Sequence, residues 1–237
     1  MTISVLTLFP EMFEGPFSHS IIKNAISKNL IKLDFINIRD FGIGKHKTVD
    51  DRPYGGGRGM MIRVDVLLNA LEFAKNKFPK KSKIKQKIVL LDPTGTTYNQ
   101  KVAREFSSLD HLILICGHYE GFDARIKKFI DEEISIGDFV LTGGEIPAMA
   151  IVDSVARLKQ GVLPVNAADI ESFSADAGNS VFLEYPQYTR PEKFKNLKVP
   201  EVLLSGNHGE IKTWRRNQSI RITKKKRPDL LKSKTVR

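Results

Sequence analysis

The sequence predicts an α/β protein with a mostly parallel sheet, followed by a small helical C-terminal domain. The chain opens with a strand–helix–strand pattern, since apolar strands over Ile3–Leu8 and Leu33–Ile38 flank a helical stretch over Ile21–Asn29. Two continuous apolar runs follow, Ile88–Leu91 and Leu112–Ile115, and such runs are typical of strands covered on both faces. Strands that alternate with helices in this way favour a parallel sheet.

The stretch from Ile134 to Ala148 predicts a third strand end. We interpret Phe139–Leu141 as a strand, Gly143-Gly144 as a tight turn, and Pro147 as the opening of a helix that reaches Leu158. Glycines here allow positive φ and let a ligand approach the main chain, because no Cβ stands in the way. An ordinary strand–helix turn is the alternative interpretation.

Polar or glycine-bearing segments follow all three of these strands. Asp92–Gly95 follows the first, Cys116–Gly121 the second, and Gly143-Gly144 belongs to the third. If the strands are parallel neighbours, their carboxyl ends meet at the edge where open α/β folds bind ligands. The sequence therefore predicts a small-molecule pocket at this edge.

A glycine-rich segment, Lys45–Met60, is predicted to be a loop. It is not a dinucleotide fingerprint, because Met60 stands at the sixth position from the first glycine, nor a phosphate-binding Walker loop, because no Gly-Lys-Ser/Thr follows. It is either a flexible surface loop or a lid that contacts phosphate through Arg52 and Arg58. A helix over Val64–Phe78 comes next. Its predicted apolar face holds Val64, Leu67, Leu68, Leu71 and Ala74 or Lys75.

Positive charge is concentrated at the C-terminal end. The net charge is +11; residues 190–237 hold 15 Lys and Arg against four acidic residues, so residues 1–189 are neutral. A basic part on a neutral body indicates contact with a polyanion, and a solvated tail is the alternative. Residues 162–180 are predicted to be a mobile linker between domains at 1–161 and 181–237. In the second domain, Asn207 and Glu210 predict the start of a helix.

The composition argues against a membrane or exported protein. No apolar run approaches the ~20 residues of a membrane span, and no basic segment precedes the apolar N-terminus. The single cysteine, Cys116, cannot form an internal disulfide. We expect a cytoplasmic protein.

The strand-end motifs, taken together and in order, resemble the bacterial tRNA (guanine-N1)-methyltransferase family, the TrmD type. The resemblance covers nearly the whole chain. Its motifs are Phe9–Phe13, Asn37–Phe41, Asp50–Gly57, Cys116–Gly121, Ile136–Pro147, Tyr188–Pro191 and Leu204–His208. The resemblance implies a SPOUT-class fold with a deep trefoil knot, a homodimer, S-adenosylmethionine as methyl donor and the tRNA anticodon arm as partner.

The resemblance also implies which residues bind and react. The donor would be held by Leu91, Asp92, Pro93, Gly117, Glu120, Ile136, Gly137, Phe139, Leu141, Gly143, Gly144 and Pro147. The acceptor is the guanosine 3′ of the anticodon, position 37. The first domain would bind S-adenosylmethionine, and the basic second domain would bind tRNA.

Catalytic roles follow from the chemistry of guanine. Its N1 carries a proton at neutral pH, so a positioned carboxylate has to remove it, and negative charge then grows on O6. The resemblance assigns the base to Glu171, the cation to Arg157 and an orienting role to Glu184. Asp169 is the alternative base, Mg²⁺ is a possible second stabiliser of O6, and a surface ion pair with Asp153 is the structural alternative for Arg157.

Two other functions remain open at this point. One is an RNA-binding protein with a vestigial donor pocket, against which Glu120, Gly143-Gly144 and Arg157 argue. The other is a knotted methyltransferase for ribosomal RNA or another tRNA position, against which Glu171 and the Tyr188–Pro191 segment argue.

Overall fold

The computed structural model describes residues 1–77, 83–165, 167–169, 171–175 and 181–231. The chain divides into two compact units, Met1–Leu163 and Pro164–Arg237. The described residues of the predicted linker from Pro164 onward therefore group with the second unit. Positions 166, 170 and 176–180 of that linker lie outside the described residues, as does the predicted helix end at Phe78. The mobility of the linker stays a prediction.

The elements are numbered in chain order. The strands are β1 (Thr2–Thr7), β2 (Lys32–Asn37), β3 (Asp50–Asp51), β4 (Met61–Ile62), β5 (Gln86–Thr97), β6 (His111–Cys116), β7 (Glu132–Ser135), β8 (Ser174–Ala175), β9 (Val181–Phe182), β10 (Lys193–Phe194) and β11 (Leu197–Lys198). The helices are α1 (Ser20–Ser27), α2 (Val64–Lys75), α3 (Gln100–Ser107), α4 (Glu145–Ala156) and α5 (His208–Lys226), with short 3₁₀ turns between them.

A five-stranded sheet forms the centre of the first unit. Its order is β2-β1-β6-β5-β7, and every pair is parallel. The predicted strand–helix–strand opening is confirmed as β1, α1 and β2, and the two apolar runs lie in β5 and β6 as predicted. The carboxyl ends are in register, since Leu6 pairs with Ile115 and Leu91 with Cys116.

The sheet is covered on both faces, which explains the continuous apolar runs. Alternate residues of β6 enter two different cores: Leu112 and Leu114 pack in one with α1 and α4, while Ile113 and Ile115 pack in the other with α2. Both faces of β6 are therefore shielded from water, so its residues need not alternate between apolar and polar. Burial on α2 differs from the prediction, because Val66 and Ala70 are fully buried whereas Val64 and Leu68 are only half-buried.

Two predicted strand boundaries were wrong. β5 does not end before Asp92 but continues to Thr97, with a register shift between Leu91 and Thr96. Gly95 permits this, since a Cβ there would stand 2.5 Å from the backbone of Glu133 and Ile134. Phe139–Leu141 is not a strand; the edge strand β7 ends at Ser135, and the apolar run belongs to the loop that follows.

The second unit combines short hairpins with one long helix. β8 pairs with β9 and β10 with β11, both antiparallel. The predicted cap of α5 is confirmed: the Asn207 side chain accepts hydrogen bonds from the backbone N–H groups of Gly209 (3.2 Å) and Glu210 (3.3 Å). The unit is thus helical in its largest element but not throughout.

Candidate active site

A cavity of about 390 Å³ opens where β5 shifts register after Leu91 and at the carboxyl ends of β6 and β7. Three segments form its wall, residues 91–94, 117–122 and 134–147. All twelve residues that the resemblance predicts for donor binding line it: Leu91, Asp92, Pro93, Gly117, Glu120, Ile136, Gly137, Phe139, Leu141, Gly143, Gly144 and Pro147. The three strand ends meet at one rim, as their motifs predict.

Gly144 lets the third segment approach the second. Gly144 donates its N–H to the Gly117 carbonyl at 2.9 Å, and a Cβ on Gly144 would lie 2.7 Å from the Cys116 Cα. Gly144 does not use the positive φ that glycine allows, since its φ is −82°, whereas Gly121 and Gly137 of the cavity wall have φ values of 104° and 153°. Close packing, rather than an unusual backbone angle, requires glycine at position 144.

The loop after β7 exposes an apolar wall. Phe139, Val140 and Leu141 are 53%, 83% and 36% exposed, although they are the apolar residues that a strand would bury. Ser135 turns the chain outward, because its hydroxyl donates to the Gly137 carbonyl (3.0 Å) and accepts from the Gly137 N–H (3.2 Å). An exposed apolar run beside polar groups is characteristic of a ligand site.

A buried carboxylate, which sequence reasoning missed, lies behind the cavity wall. Glu145 is 1% exposed and accepts a hydrogen bond from the Thr7 hydroxyl at 2.6 Å. Its other oxygen lies 2.8 Å from Nε2 of His118, a residue of the cavity wall. The His118 ring in turn meets Phe9 edge-on, with centroids 4.7 Å apart. Glu145 thus joins the end of β1, the start of α4 and the loop after β6.

Cys116 is structural rather than reactive. It is fully buried, and burial raises the pKa of its thiol, with the neighbouring Glu145 carboxylate raising it further. A thiol held in its protonated form is a poor nucleophile. We therefore assign no covalent step to this residue.

The glycine-rich loop reaches the cavity rim. β3 and β4 form its two stems, and the Glu120 N–H donates to the Met60 carbonyl at 3.0 Å. Gly59, with a φ of 77°, packs directly against the Glu120 side chain. Neither the surface-loop interpretation nor the lid interpretation is decided by these contacts, but the loop stands next to a predicted donor residue.

The predicted catalytic residues belong to different units. Arg157 is half-buried directly after α4 in the first unit. Glu171 is half-buried in the second unit, where its carbonyl accepts from the Ser174 N–H at 3.1 Å. Glu184 donates its backbone N–H to the Ser172 hydroxyl (2.9 Å), and its carboxylate accepts from the Gln187 amide. The two glutamates therefore flank the β8–β9 hairpin.

Asp169, the alternative base, ends a 3₁₀ turn over Ala167–Asp169. No group of three or more His, Cys, Asp or Glu side chains suited to a metal ion occurs within the described ranges. No helix in this part of the chain is long and apolar enough to cross a membrane.

The first unit is an α/β protein with a parallel sheet, and open sheets of this class bind ligands at the edge where this cavity lies. The family model for "tRNA (Guanine-1)-methyltransferase TrmD" matches residues 1–233, and the chain belongs to this family.

Similar proteins carry the corresponding name. A tRNA (guanine-N(1)-)-methyltransferase of Caldanaerobacter subterraneus is 54% identical over 98% of this chain and 92% of its own length. Proteins of the same name from Dehalococcoides mccartyi and Carboxydothermus hydrogenoformans are 50% and 53% identical, over 100% and 98% of this chain and 92% and 88% of their own.

Proposed function

We propose that this chain transfers a methyl group from S-adenosylmethionine to N1 of the guanosine at position 37 of tRNA, directly 3′ of the anticodon. One observation carries the proposal: three strand ends of a parallel sheet form one cavity from the residues that the family resemblance assigns to the donor. The names of the relatives supply the reaction and the substrate class.

The cavity fits the donor chemically. Its volume of about 390 Å³ falls within the ~300–1,000 Å³ of small-ligand sites. Phe139 and Leu141 offer apolar surface, while Asp92 and Glu120 offer carboxylate oxygens. Asp92 uses Oδ1 for the Thr94 N–H (2.8 Å) and hydroxyl (2.6 Å), which holds that carboxylate in place. When bound, S-adenosylmethionine supplies an electrophilic methyl group on a sulfonium.

The proposed fold includes the deep trefoil knot of the SPOUT class. The supporting observation is the meeting of three chain segments, one within β5, one after β6 and one after β7, around one cavity. Gly144 and Gly95 support it as well, because both positions leave no space for a Cβ against a neighbouring backbone. A knotted crossing needs such close backbone approaches.

The acceptor needs a base and a cation. Glu171 removes the proton from guanine N1, which frees the lone pair for attack, and this step is worth about 10²–10⁴-fold. Arg157 stabilises the negative charge that grows on O6. Glu184, whose carboxylate is already oriented by Gln187, orients the base or the guanine.

The proposed assembly is a homodimer in which the partner subunit helps to complete each site. Residues 1–161 bind the donor, residues 181–237 bind the anticodon arm, and residues 162–180 order when tRNA connects them. The exposed cations of α5, including Lys212 and Arg216, attract the phosphate backbone. The target lies in an unpaired loop, so its base is exposed more easily than a paired one.

The test is a transfer assay with a mapped product. Purified protein is incubated with labelled donor and unmodified tRNA, and the methylated base is located by mass spectrometry. We expect N1-methylguanosine at position 37. Methylation elsewhere would establish a different target, and donor binding without any transfer would establish an RNA-binding protein with a vestigial pocket.

A further inference from the structure

A second cavity, of about 450 Å³, lies within the second unit. It is formed by the 185–192 segment, by Val199, Leu203 and Leu204, and by Ile211 and Arg215 of α5. None of its residues belongs to the segments assigned to the donor. Its volume again suits a small organic group rather than a single ion.

Planar groups form the first feature of this cavity. The Arg215 guanidinium carbon lies 4.9 Å from the Tyr185 ring centroid. Tyr188 is half-exposed, and its ring centroid is 6.4 Å from that of Trp214, with the planes tilted by 55°. Aromatic rings and arginine guanidinium planes are the surfaces on which unpaired nucleic-acid bases stack.

Hydrogen-bonding groups form the second feature. The Gln187 amide is held by Glu184, which fixes its orientation at the cavity wall. Arg190 and Glu192 also line the cavity, and neither side chain has a hydrogen-bond or ion-pair partner within the part of the chain that the structure describes. A donor, an acceptor and an amide at one wall can address the edge of a base.

We propose that this cavity binds one unpaired nucleoside of the tRNA loop, with its base extending the stack of Tyr185 and Arg215. The inference rests on the proposed function, since that function makes RNA the substrate. A bare phosphate would be attracted by Arg190 and Arg215 but repelled by Glu192, and it would make no stacking contact with the two tyrosine rings. Cation–π and stacking contacts tolerate any base, so the site favours an unpaired nucleoside over a particular sequence.

The experiment compares RNA with and without a base. An anticodon stem-loop RNA is prepared intact and with a single abasic site at each loop position in turn. Binding is followed by the fluorescence of Trp214, which is the only tryptophan of the chain and touches Tyr188. We expect the intact RNA to change this fluorescence and to bind about tenfold tighter than the RNA abasic at one particular position.

Variants separate stacking from charge. Arg215→Lys keeps the positive charge but loses the planar guanidinium, so we expect it to remove the preference for intact RNA. Tyr185→Leu should do the same, and Tyr185→Phe should restore the preference. The matched control is Lys212→Ala on the exposed part of the same helix, which should weaken intact and abasic RNA equally.

Three outcomes would overturn the proposal. These are equal affinity for every abasic RNA, an unchanged preference in both Arg215→Lys and Tyr185→Leu, or displacement of the fluorescence change by inorganic phosphate alone. Methyl transfer by the unaltered protein is measured in parallel. Normal methyl transfer without any preference for intact RNA would contradict only the assignment of this cavity. Absence of methyl transfer would contradict the proposed function.

Discussion

The two units of the chain differ in how they meet a ligand. The first builds its cavity from backbone at the edge of a sheet whose central strand, β6, is fully buried, and a Cβ at Gly144 would already be too large. The second exposes its longest helix, since Thr223 is the buried residue of α5. Ligand binding in a cavity made of close backbone contacts depends on the shape of the cavity, whereas binding to a basic surface depends mainly on its charge. Substitutions should therefore be tolerated far better in the second unit than in the first.

The variant Glu171→Gln tests this contrast most strongly, because Glu171 is the proposed catalytic base and belongs to the second unit. We expect methyl transfer to fall about 10²–10⁴-fold, since an amide cannot remove the guanine proton. Donor affinity, measured by calorimetry, should not change. Asp169→Asn is the companion variant. A steep loss there with normal turnover of Glu171→Gln would move the base to position 169.

Lowering the pH should reduce the stability of the first unit, because this unit contains a buried histidine. His111 is fully buried beside Ser4, with Nε2 2.9 Å from its hydroxyl, and burial lowers the pKa of His111 to about 4. Its contribution is complete above the unfolded pKa of about 6.5 and is lost as the pH falls towards 4, because only the unfolded state binds the proton. The loss should reach about 3 kcal/mol.

The measurement is the free energy of unfolding by denaturant between pH 7 and pH 4, for the unaltered protein and for His111→Asn. The variant should be less stable at neutral pH but should lose less on acidification. Parallel pH profiles of the two proteins would show that carboxylates, and not His111, dominate the acid sensitivity.

Salt should expose the dependence of the second unit on charge. If about five of its cations contact a single-stranded RNA, the logarithmic slope is about −3.5, and affinity falls about 100-fold between ~50 and ~200 mM salt. Filter binding of unmodified tRNA measures this slope. Donor affinity over the same range serves as the internal control and should change little. An RNA affinity that does not change with salt would show that the basic surface does not contribute to RNA binding.

Gly144→Ala gives the smallest expected effect and tests the shape of the cavity. The added methyl meets the Cys116 backbone, so the loop has to shift, and we expect donor affinity to fall about tenfold. Gly15→Ala is the matched control, since nothing lies within 4 Å of its Cβ position. Similar donor affinity in both variants would show that the close approach is not needed for binding.

Much of the sheet could be predicted because a strand that is buried on both faces is apolar at successive positions. Ile88–Leu91 and Leu112–Ile115 are apolar at every position, and both lie within buried strands. Phe139–Leu141 has the same apolar character but lines a cavity instead, so hydropathy alone placed it wrongly. The strand next to it, β7, begins with Glu132 and Glu133 and carries no comparable signal.

The sequence predicted which residues line the cavity but not the buried Glu145 that lies behind them. The lining of the cavity could be predicted because three glycine-bearing segments follow three apolar runs and carry family motifs, whereas donor binding by these residues stays a prediction. Glu145 could not be predicted, since its burial depends on Thr7, a residue 138 positions away in sequence. A charged residue in the first turn of a helix normally indicates an exposed helix start, and the Gly-Gly-Glu order was the only local hint.

The hydrogen bond between Thr7 and Glu145 also has a consequence for biosynthesis. The first strand leaves the ribosome long before its partner on α4 exists, and β1 must also wait for β6 to complete its sheet neighbours. Such distant pairings slow folding and leave apolar strand surface uncovered in the nascent chain. The emerging polypeptide therefore passes through a prolonged period in which chaperones can capture it, and the cavity at the sheet edge is finished only after Pro147 has been synthesised.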